Sequence, residues 1–226
     1  MKILISGNGV MANIVKDCIK EPDVFAGMID TTKDVIFNED FDAIIDFSNH
    51  LATKKILEFA KNKNKPILIA TTGHSIIEEQ LIEEYSKYIY IIKATNTSLG
   101  VFALNRLAKL ATQLLENFDI EIIEKHHNRK IDAPSGTAKT LAKNIKDVRS
   151  DLEIVTNRTG KRNSNELGIH SVRAGNIFGE HSVIFAAEDE IIEIKHTAFS
   201  RKIFAIGAIK LAHTLLEKKQ GLFVYE

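Results

Sequence analysis

Short apolar runs alternate with helix-length stretches through the first third of the chain, and this alternation constrains the fold more than any other feature. Apolar runs at 2–6, 24–29, 43–47, 66–70 and 88–93 are separated by helical stretches at 11–20, 52–63 and 76–87. Neighbouring parallel strands need a long crossover between them, and a helix supplies it. The pattern therefore predicts a doubly wound α/β domain, a parallel sheet covered by helices on both faces.

Beyond Asn96 the rhythm changes. One long amphipathic helix carries Val101, Leu104, Ala108, Ala111 and Leu115 at helical spacing. Apolar or alternating runs follow at 119–125, 152–156, 168–174, 181–187 and 190–197, with one helical stretch at 137–147. Strands gathered around one or two helices predict an α+β unit, hence a second domain. A final helix over 201–218, carrying Phe204, Ile206, Ala208, Leu211 and Leu215, is expected to pack back on the first domain. The polar run 157–165 reads as an exposed loop whose three basic residues are solvated, with anion binding as the other reading.

With 226 residues and 44% hydrophobic content, the chain can bury a core in one domain or two modest ones. Thirty Lys and Arg balance thirty Asp and Glu, which points away from nucleic acid and anionic membranes and toward a small-molecule partner. The single cysteine, Cys18, has no thiol to pair with and reads as packing inside a helix. No run approaches the roughly 18 apolar residues of a membrane span, and residues 1–5 lack a long apolar secretory segment. The expected location is the cytoplasm.

Directly after the first apolar run stands Gly7-Asn8-Gly9-Val10-Met11-Ala12, a G-x-G-x-x-A arrangement at the start of a helix. Glycines allow a tight turn and a close approach to a pyrophosphate, whose charge the helix N-terminus stabilises. Alone, the motif is also what a plain strand-to-helix turn looks like. Asp30, at the end of the second apolar run, adds the acidic side chain that accepts hydrogen bonds from ribose hydroxyls. Together they predict a Rossmann-like dinucleotide site. Asp30 would repel a 2′-phosphate, and Thr31 and Thr32 offer hydroxyls rather than a guanidinium, so NADH is expected over NADPH, with Lys33 close enough to favour the latter. Ala70-Thr71-Thr72-Gly73 and Ala94-Thr95-Asn96-Thr97-Ser98 follow later apolar runs, where an open α/β sheet collects its ligands. Ordinary turn chemistry explains them equally well.

The densest chemistry lies at His126-His127-Asn128-Arg129-Lys130-Ile131-Asp132-Ala133-Pro134-Ser135-Gly136-Thr137-Ala138. The two histidines follow an alternating strand, so they face opposite ways and cannot share one role. Histidine is a proton donor near neutral pH, and Lys130 brings a fixed charge for a carboxylate. No third ligand at metal-binding spacing accompanies them. Ser135-Gly136-Thr137 at a helix start presents backbone N–H groups and hydroxyls to an anion, although Ser135 also fits a plain helix cap. His170, Arg173, Gly175, Gly179 and His181 form a further polar run that structure alone could explain, and Glu180 beside His181 reads as a surface feature. Arg201, before the last helix, has the strongest functional case among these.

These residues resemble the dihydrodipicolinate reductases. The resemblance spans the chain through Gly7 to Met11, Asp46-Phe47-Ser48, Thr71-Thr72-Gly73, Asn96 to Val101, Glu121 to Ala138, Ser171 to His181, and Ser200-Arg201 to Gly207. It implies a dinucleotide domain at 1–97 with 202–226, an inserted α+β substrate and oligomerisation domain at 98–201, and a homotetramer built through the inserted sheets. The implied reaction reduces 4-hydroxy-tetrahydrodipicolinate, via dihydrodipicolinate, to tetrahydrodipicolinate with NADH or NADPH, in lysine and diaminopimelate synthesis. The resemblance makes His126 the proton donor, assisted by Lys130, and gives the dicarboxylate to His127, Ser135, Gly136 and Thr137. The cofactor falls to Gly7, Asn8, Gly9, Val10, Met11, Asp30, Ala70, Thr71, Thr72, Ala94, Thr95, Asn96, Thr97 and Arg201, with no metal.

The chain departs from the family's pattern at Val10, where an arginine is frequent, at Ala12, and at Thr31, where a basic residue is frequent. All three bear on the cofactor. Another two-domain dehydrogenase of amino-acid-like substrates would share the fold without the segment from Asp132 to Thr137, and a non-catalytic NAD-sensing protein would share it without needing His126 and Lys130.

Overall fold

The computed structural model describes residues 1–33, 35–156 and 158–225. It divides into two compact units, Met1–Ser98 with Arg201–Glu226, and Leu99–Ser200.

The first unit contains strands β1 (Lys2–Ser6), β2 (Val24–Ile29), β3 (Ala43–Asp46), β4 (Ile67–Ile69) and β5 (Tyr90–Ala94), joined by helices α1 (Val10–Cys18), α2 (Thr53–Asn62) and α3 (Ile76–Tyr85). β3 and β4 are buried at every position, as central parallel strands must be, and their sequences are accordingly almost wholly apolar. α2 turns Ile56, Leu57, Phe59 and Ala60 inward, and with Leu4, Phe41, Ile44, Ile67, Ile69 and Ile91 they make one core. α3 starts at a capping box: Ser75 accepts from the Glu78 N–H, and Glu78 accepts from the Ser75 N–H at 2.6 Å.

The C-terminal part departs from expectation. Instead of one helix over 201–218, helix α6 spans Lys202–Thr214, a 3-10 turn covers Leu215–Glu217, and a strand β11 follows at Gly221–Tyr225. β11 pairs in parallel with β5, Gly221 opposite Tyr90 through Tyr225 opposite Ala94, and becomes the edge of a sheet ordered β11-β5-β4-β3-β1-β2. The order reverses between β1 and β3, the switch point where such sheets open a crevice beyond their strand ends. α6 buries small residues, Ala205, Gly207, Ala208 and Ala212. A Cβ on Gly207 would lie 1.8 Å from the Thr97 carbonyl oxygen, and the Thr97 hydroxyl donates to the Phe204 carbonyl at 2.7 Å.

The second unit holds α4 (Leu99–Leu114), β6 (Asp119–His126), α5 (Gly136–Lys146), β7 (Glu153–Val155), β8 (Glu166–Arg173), β9 (Gly179–Ala186) and β10 (Ile191–Ala198). Its sheet runs β10-β9-β6-β8-β7, antiparallel from β10 to β6 and parallel from β6 to β7. Leu104 and Ala108 of α4 and Leu141, Ala142 and Ile145 of α5 cover one face, against Ile120, Ile122, Leu167, Ile169, Val183 and Phe185. The loop expected to be solvated is instead tied to the opposite face. Arg158 donates to Glu121 at 2.5 Å and Glu166 at 2.6 Å, and Arg162 pairs with Asp119 at 2.7 Å, because carboxylates on a half-covered strand face attract nearby guanidinium groups. Lys161 is exposed, and Asn157, like Glu226 at the chain's end, lies outside the described residues. Among the described residues no helix is long and apolar enough to cross a membrane.

Replacing Gly207 by Ala is expected to lower stability by about 1–3 kcal/mol, the usual penalty of an overpacked contact, read as a lower urea midpoint. Ile206→Ala, at an exposed position on the same helix, is the control that should move it much less.

Candidate active site

Across the second sheet, residues directly opposite one another share a face. Ile194, Val183, Ile122 and Ile169 form one such row and belong to or pack on the apolar core. Two residues along each strand the row becomes His196, His181, Glu124 and Ser171. Two further along β6 comes His126, opposite Arg173 of β8. The helix-covered face therefore turns from apolar to ionisable at one end, beside the start of α5.

Glu124 organises that end. Its side chain is fully buried, and both of its oxygens are partnered. Arg173 donates to both, at 2.8 and 2.7 Å; His126 Nδ1 stands 2.5 Å from Oε2; the Ser135 N–H donates to Oε1 at 3.1 Å. Burial alone would raise the Glu124 pKa, but hydrogen bonds from Arg173, Ser171 and His126 outweigh it and hold the carboxyl at about 2. Burial pushes the His126 pKa below the usual imidazole range, and the adjoining carboxylate works against that push.

Ser135 is the N-cap of α5 and is buried: its hydroxyl accepts from the Ala138 N–H at 3.3 Å and lies 3.0 Å from His181 Nε2. His181 is buried, not a surface neighbour of Glu180, and burial followed by the nearby His126 lowers its pKa to about 3, so it stays neutral. Glu180 points the other way, between Lys125 at 2.5 Å and Lys195 at 2.9 Å. Gly136 opens the helix with nothing within 4 Å of a Cβ built on it.

The loop after β6 is held against residues 174–176 by Ala174 N–H to the His126 carbonyl at 2.9 Å and Asn128 N–H to the Gly175 carbonyl at 3.2 Å. Arg129 adds a bond to Asn176 at 3.0 Å. Lys130 is paired with Asp132 at 2.7 Å, and Arg173 also donates to the Asp132 carbonyl at 2.6 Å. Buried His127 Nδ1 has no hydrogen-bond partner among the described residues. Among the described residues no group of three or more His, Cys, Asp or Glu is arranged to hold a metal ion.

In the first unit, the strand ends at the switch point converge on Asp46. The Ser6 hydroxyl donates to it at 2.7 Å and the Thr71 hydroxyl at 2.8 Å, while the Ser48 N–H reaches it at 3.3 Å; burial raises its pKa. Gly7 has φ +108° and a Cβ there would meet the Phe47 carbonyl at 2.6 Å, so packing alone demands that glycine. Gly9, the N-cap of α1, is different: a Cβ there meets nothing within 4 Å. Asn8 and Val10 are exposed and Met11 half-buried beside it. At the end of β2, Asp30 accepts the Thr32 N–H at 3.0 Å and its hydroxyl at 2.7 Å, bonds that lower its pKa. Thr72, Thr95 and Arg201 are exposed and Asn96 half-buried, its side chain accepting the Ser98 N–H at 2.9 Å. The hydroxyls of Thr71 and Thr97 are spent inside the fold, and Ala70 and Ala94 are buried.

A profile described as dihydrodipicolinate reductase, C-terminus, matches residues 100–226, and its N-terminal counterpart matches 17–97, beginning past the glycine turn. The chain belongs to the dihydrodipicolinate reductase family. A 4-hydroxy-tetrahydrodipicolinate reductase of Exiguobacterium sibiricum is 43% identical over all of this chain and 95% of its own length. The enzyme of that name from Brachyspira hyodysenteriae is 44% identical over 99% of this chain and 97% of its own. A solved dihydrodipicolinate reductase from Paenisporosarcina sp. TG-14, with dipicolinate bound, superposes with a TM-score of 0.81 over 99% of this chain and 97% of its own. At 22% identity that likeness speaks for the fold.

The structure brings His126, Ser135 and Gly136 to one end of a sheet and adds Glu124, Arg173 and His181, for which the sequence alone offers no role. Glu124 carried a signal: it occupies an inward position of an alternating strand, where a charge requires a buried partner. Its depressed pKa fixes a pH dependence. A carboxylate that titrates at about 2 when folded and at its ordinary value of 4.5 when unfolded contributes stability that is full above pH 4.5 and disappears as pH falls through 2. Urea midpoints measured across that window should fall more steeply for the wild type than for Glu124→Gln.

Proposed function

We propose that the protein reduces 4-hydroxy-tetrahydrodipicolinate, through dihydrodipicolinate, to tetrahydrodipicolinate with a nicotinamide dinucleotide, in diaminopimelate and lysine synthesis. The observation that carries this reading is His126, backed by buried Glu124, at the N-terminus of α5 in a chain that belongs to the dihydrodipicolinate reductase family.

The first unit fits the cofactor. The open space at Gly9 suits a pyrophosphate against the first turn of α1, and Asp30 stands at the end of β2 for the ribose. Asn8, Gly9, Val10 and Met11 would meet the phosphates, with Gly7 shaping the turn beneath them. Ala70, Thr71, Thr72, Ala94, Thr95, Asn96 and Thr97, at or after the ends of β4 and β5, form the nicotinamide side, with Arg201 contributing a charge. When bound, the reduced nicotinamide supplies the hydride that goes to ring C4.

The second unit binds substrate and supplies the proton. Loss of the ring hydroxyl as water leaves the conjugated imine; after reduction at C4, His126 gives a proton to C3, and Lys130 assists from the adjoining loop. The cation of Lys130 and the imidazole of His127 face the substrate's carboxylates. Gly136 and Thr137 receive one carboxylate at the positive end of α5, and Ser135 holds that end in shape. Four copies joined through the second unit's sheet, working in the cytoplasm, complete the proposal.

His126→Gln should lower turnover by about 10² or more while leaving the NADH dissociation constant unchanged; wild-type turnover in that variant would remove His126 as the proton donor. A charged Asp30, with Val10 and Thr31 where basic residues are frequent in the family, favours NADH. Comparing kcat/KM for the two cofactors tests this choice, and a higher value with NADPH would overturn it.

A further inference from the structure

We propose that Glu124 is a positioning residue that fixes the tautomer and tilt of His126, so that Nε2 alone faces the substrate and carries the transferred proton. The inference rests on the assignment of His126 as proton donor and goes beyond it by naming the atom and what sets it.

Three observations converge. His126 Nδ1 lies 2.5 Å from Glu124 Oε2, and an ionised carboxylate only accepts, so the proton of the neutral ring sits on Nδ1. The side chain keeps 12% of its surface exposed, and with Nδ1 consumed the Nε2 edge holds the ring nitrogen that remains for a substrate. That edge is open because residue 179 is glycine: a Cβ there would stand 3.3 Å from Nε2, tighter than an ordinary contact.

The carboxylate is well suited to the task because it cannot itself move or neutralise. The bidentate Arg173 from β8 fixes its plane and compensates its buried charge. Through Oε1 it also takes the Ser135 N–H, so one group holds both the proton donor and the first turn of α5. Arg173 extends the same tie to the loop carrying Lys130, by its bond to the Asp132 carbonyl. A displacement of Glu124 would shift all three together.

The charges around His126 are Glu124 on its own strand, Arg173 on β8, buried neutral His181 on β9, at 5.2 Å between ring centroids, and Lys130 in the following loop. Glu124 alone favours the imidazolium. Without it, burial, Arg173 and Lys130 act unopposed, and the ring loses its proton at lower pH.

The test pairs a structural readout with a kinetic one. In wild-type protein labelled with 15N-histidine and assigned by difference against His126→Gln, the neutral His126 ring should carry its proton on Nδ1. In Glu124→Gln, kcat should fall about 10²-fold with little change in KM, and the alkaline limb of the kcat profile should move to lower pH. A wild-type ring protonated on Nε2 would overturn the proposal, whatever happens to the variant. So would a Glu124→Gln enzyme with an unmoved limb. Should that variant fail to fold, the wild-type resonance still decides. The tautomer is read without turnover, so the positioning role can fail while His126 stands as the donor, and an active His126→Gln enzyme would remove the donor reading independently.

Discussion

A fully buried carboxylate is costly to take out of water unless every oxygen is partnered, and Glu124 meets that demand with two donors from Arg173, the Nδ1 of His126 and the Ser135 N–H. Each partner belongs to a different element: β8, the end of β6 and the cap of α5. Satisfying one charge thus ties together the three elements that carry the proposed site. The same logic explains why His181, next in the row, remains neutral: with a carboxylate, a guanidinium and an imidazole already balanced, another buried cation would have no counter-charge. Its Nε2 meets the Ser135 hydroxyl instead, and the cap is held from two sides.

The first unit solves a comparable problem with neutral donors. Asp46 ends the central strand β3, where the sheet order reverses, and takes the Ser6 and Thr71 hydroxyls and the Ser48 N–H. Burial outweighs the hydrogen bonds from these neutral donors and its pKa rises, opposite to Glu124. Two buried carboxylates in one chain therefore behave differently because of their partners. At this end the strand termini are drawn together by hydroxyl bonds, leaving Gly9 and the first turn of α1 facing outward, as a pyrophosphate site requires.

Much of this was legible in the residues. Each expected strand and helix of the first ninety-odd residues is present within a few residues, because parallel strands must be continuously apolar and their crossovers helical. β11 carries no such signal: five residues after Lys218-Lys219 have no period of their own, and they form a strand by pairing with the edge that β5 offers. Arg158 and Arg162 read as solvated, since charge in a polar run says nothing about carboxylates on a distant strand. His126 stood out by residue type, whereas Arg173 and His181 acquired meaning only through the register that sets β8 and β9 on either side of β6. Thr71 and Thr97 show the converse: their hydroxyls looked available for a ligand, and tertiary bonds to Asp46 and Phe204 consume them.

The most direct measurement supplies 4-hydroxy-tetrahydrodipicolinate, generated in the cuvette by the aldol condensation that makes it, together with NADH. Oxidation of one NADH for each tetrahydrodipicolinate formed, dependent on the added protein, is the predicted result. No NADH or NADPH oxidation by folded protein that binds the dinucleotide would contradict the assignment.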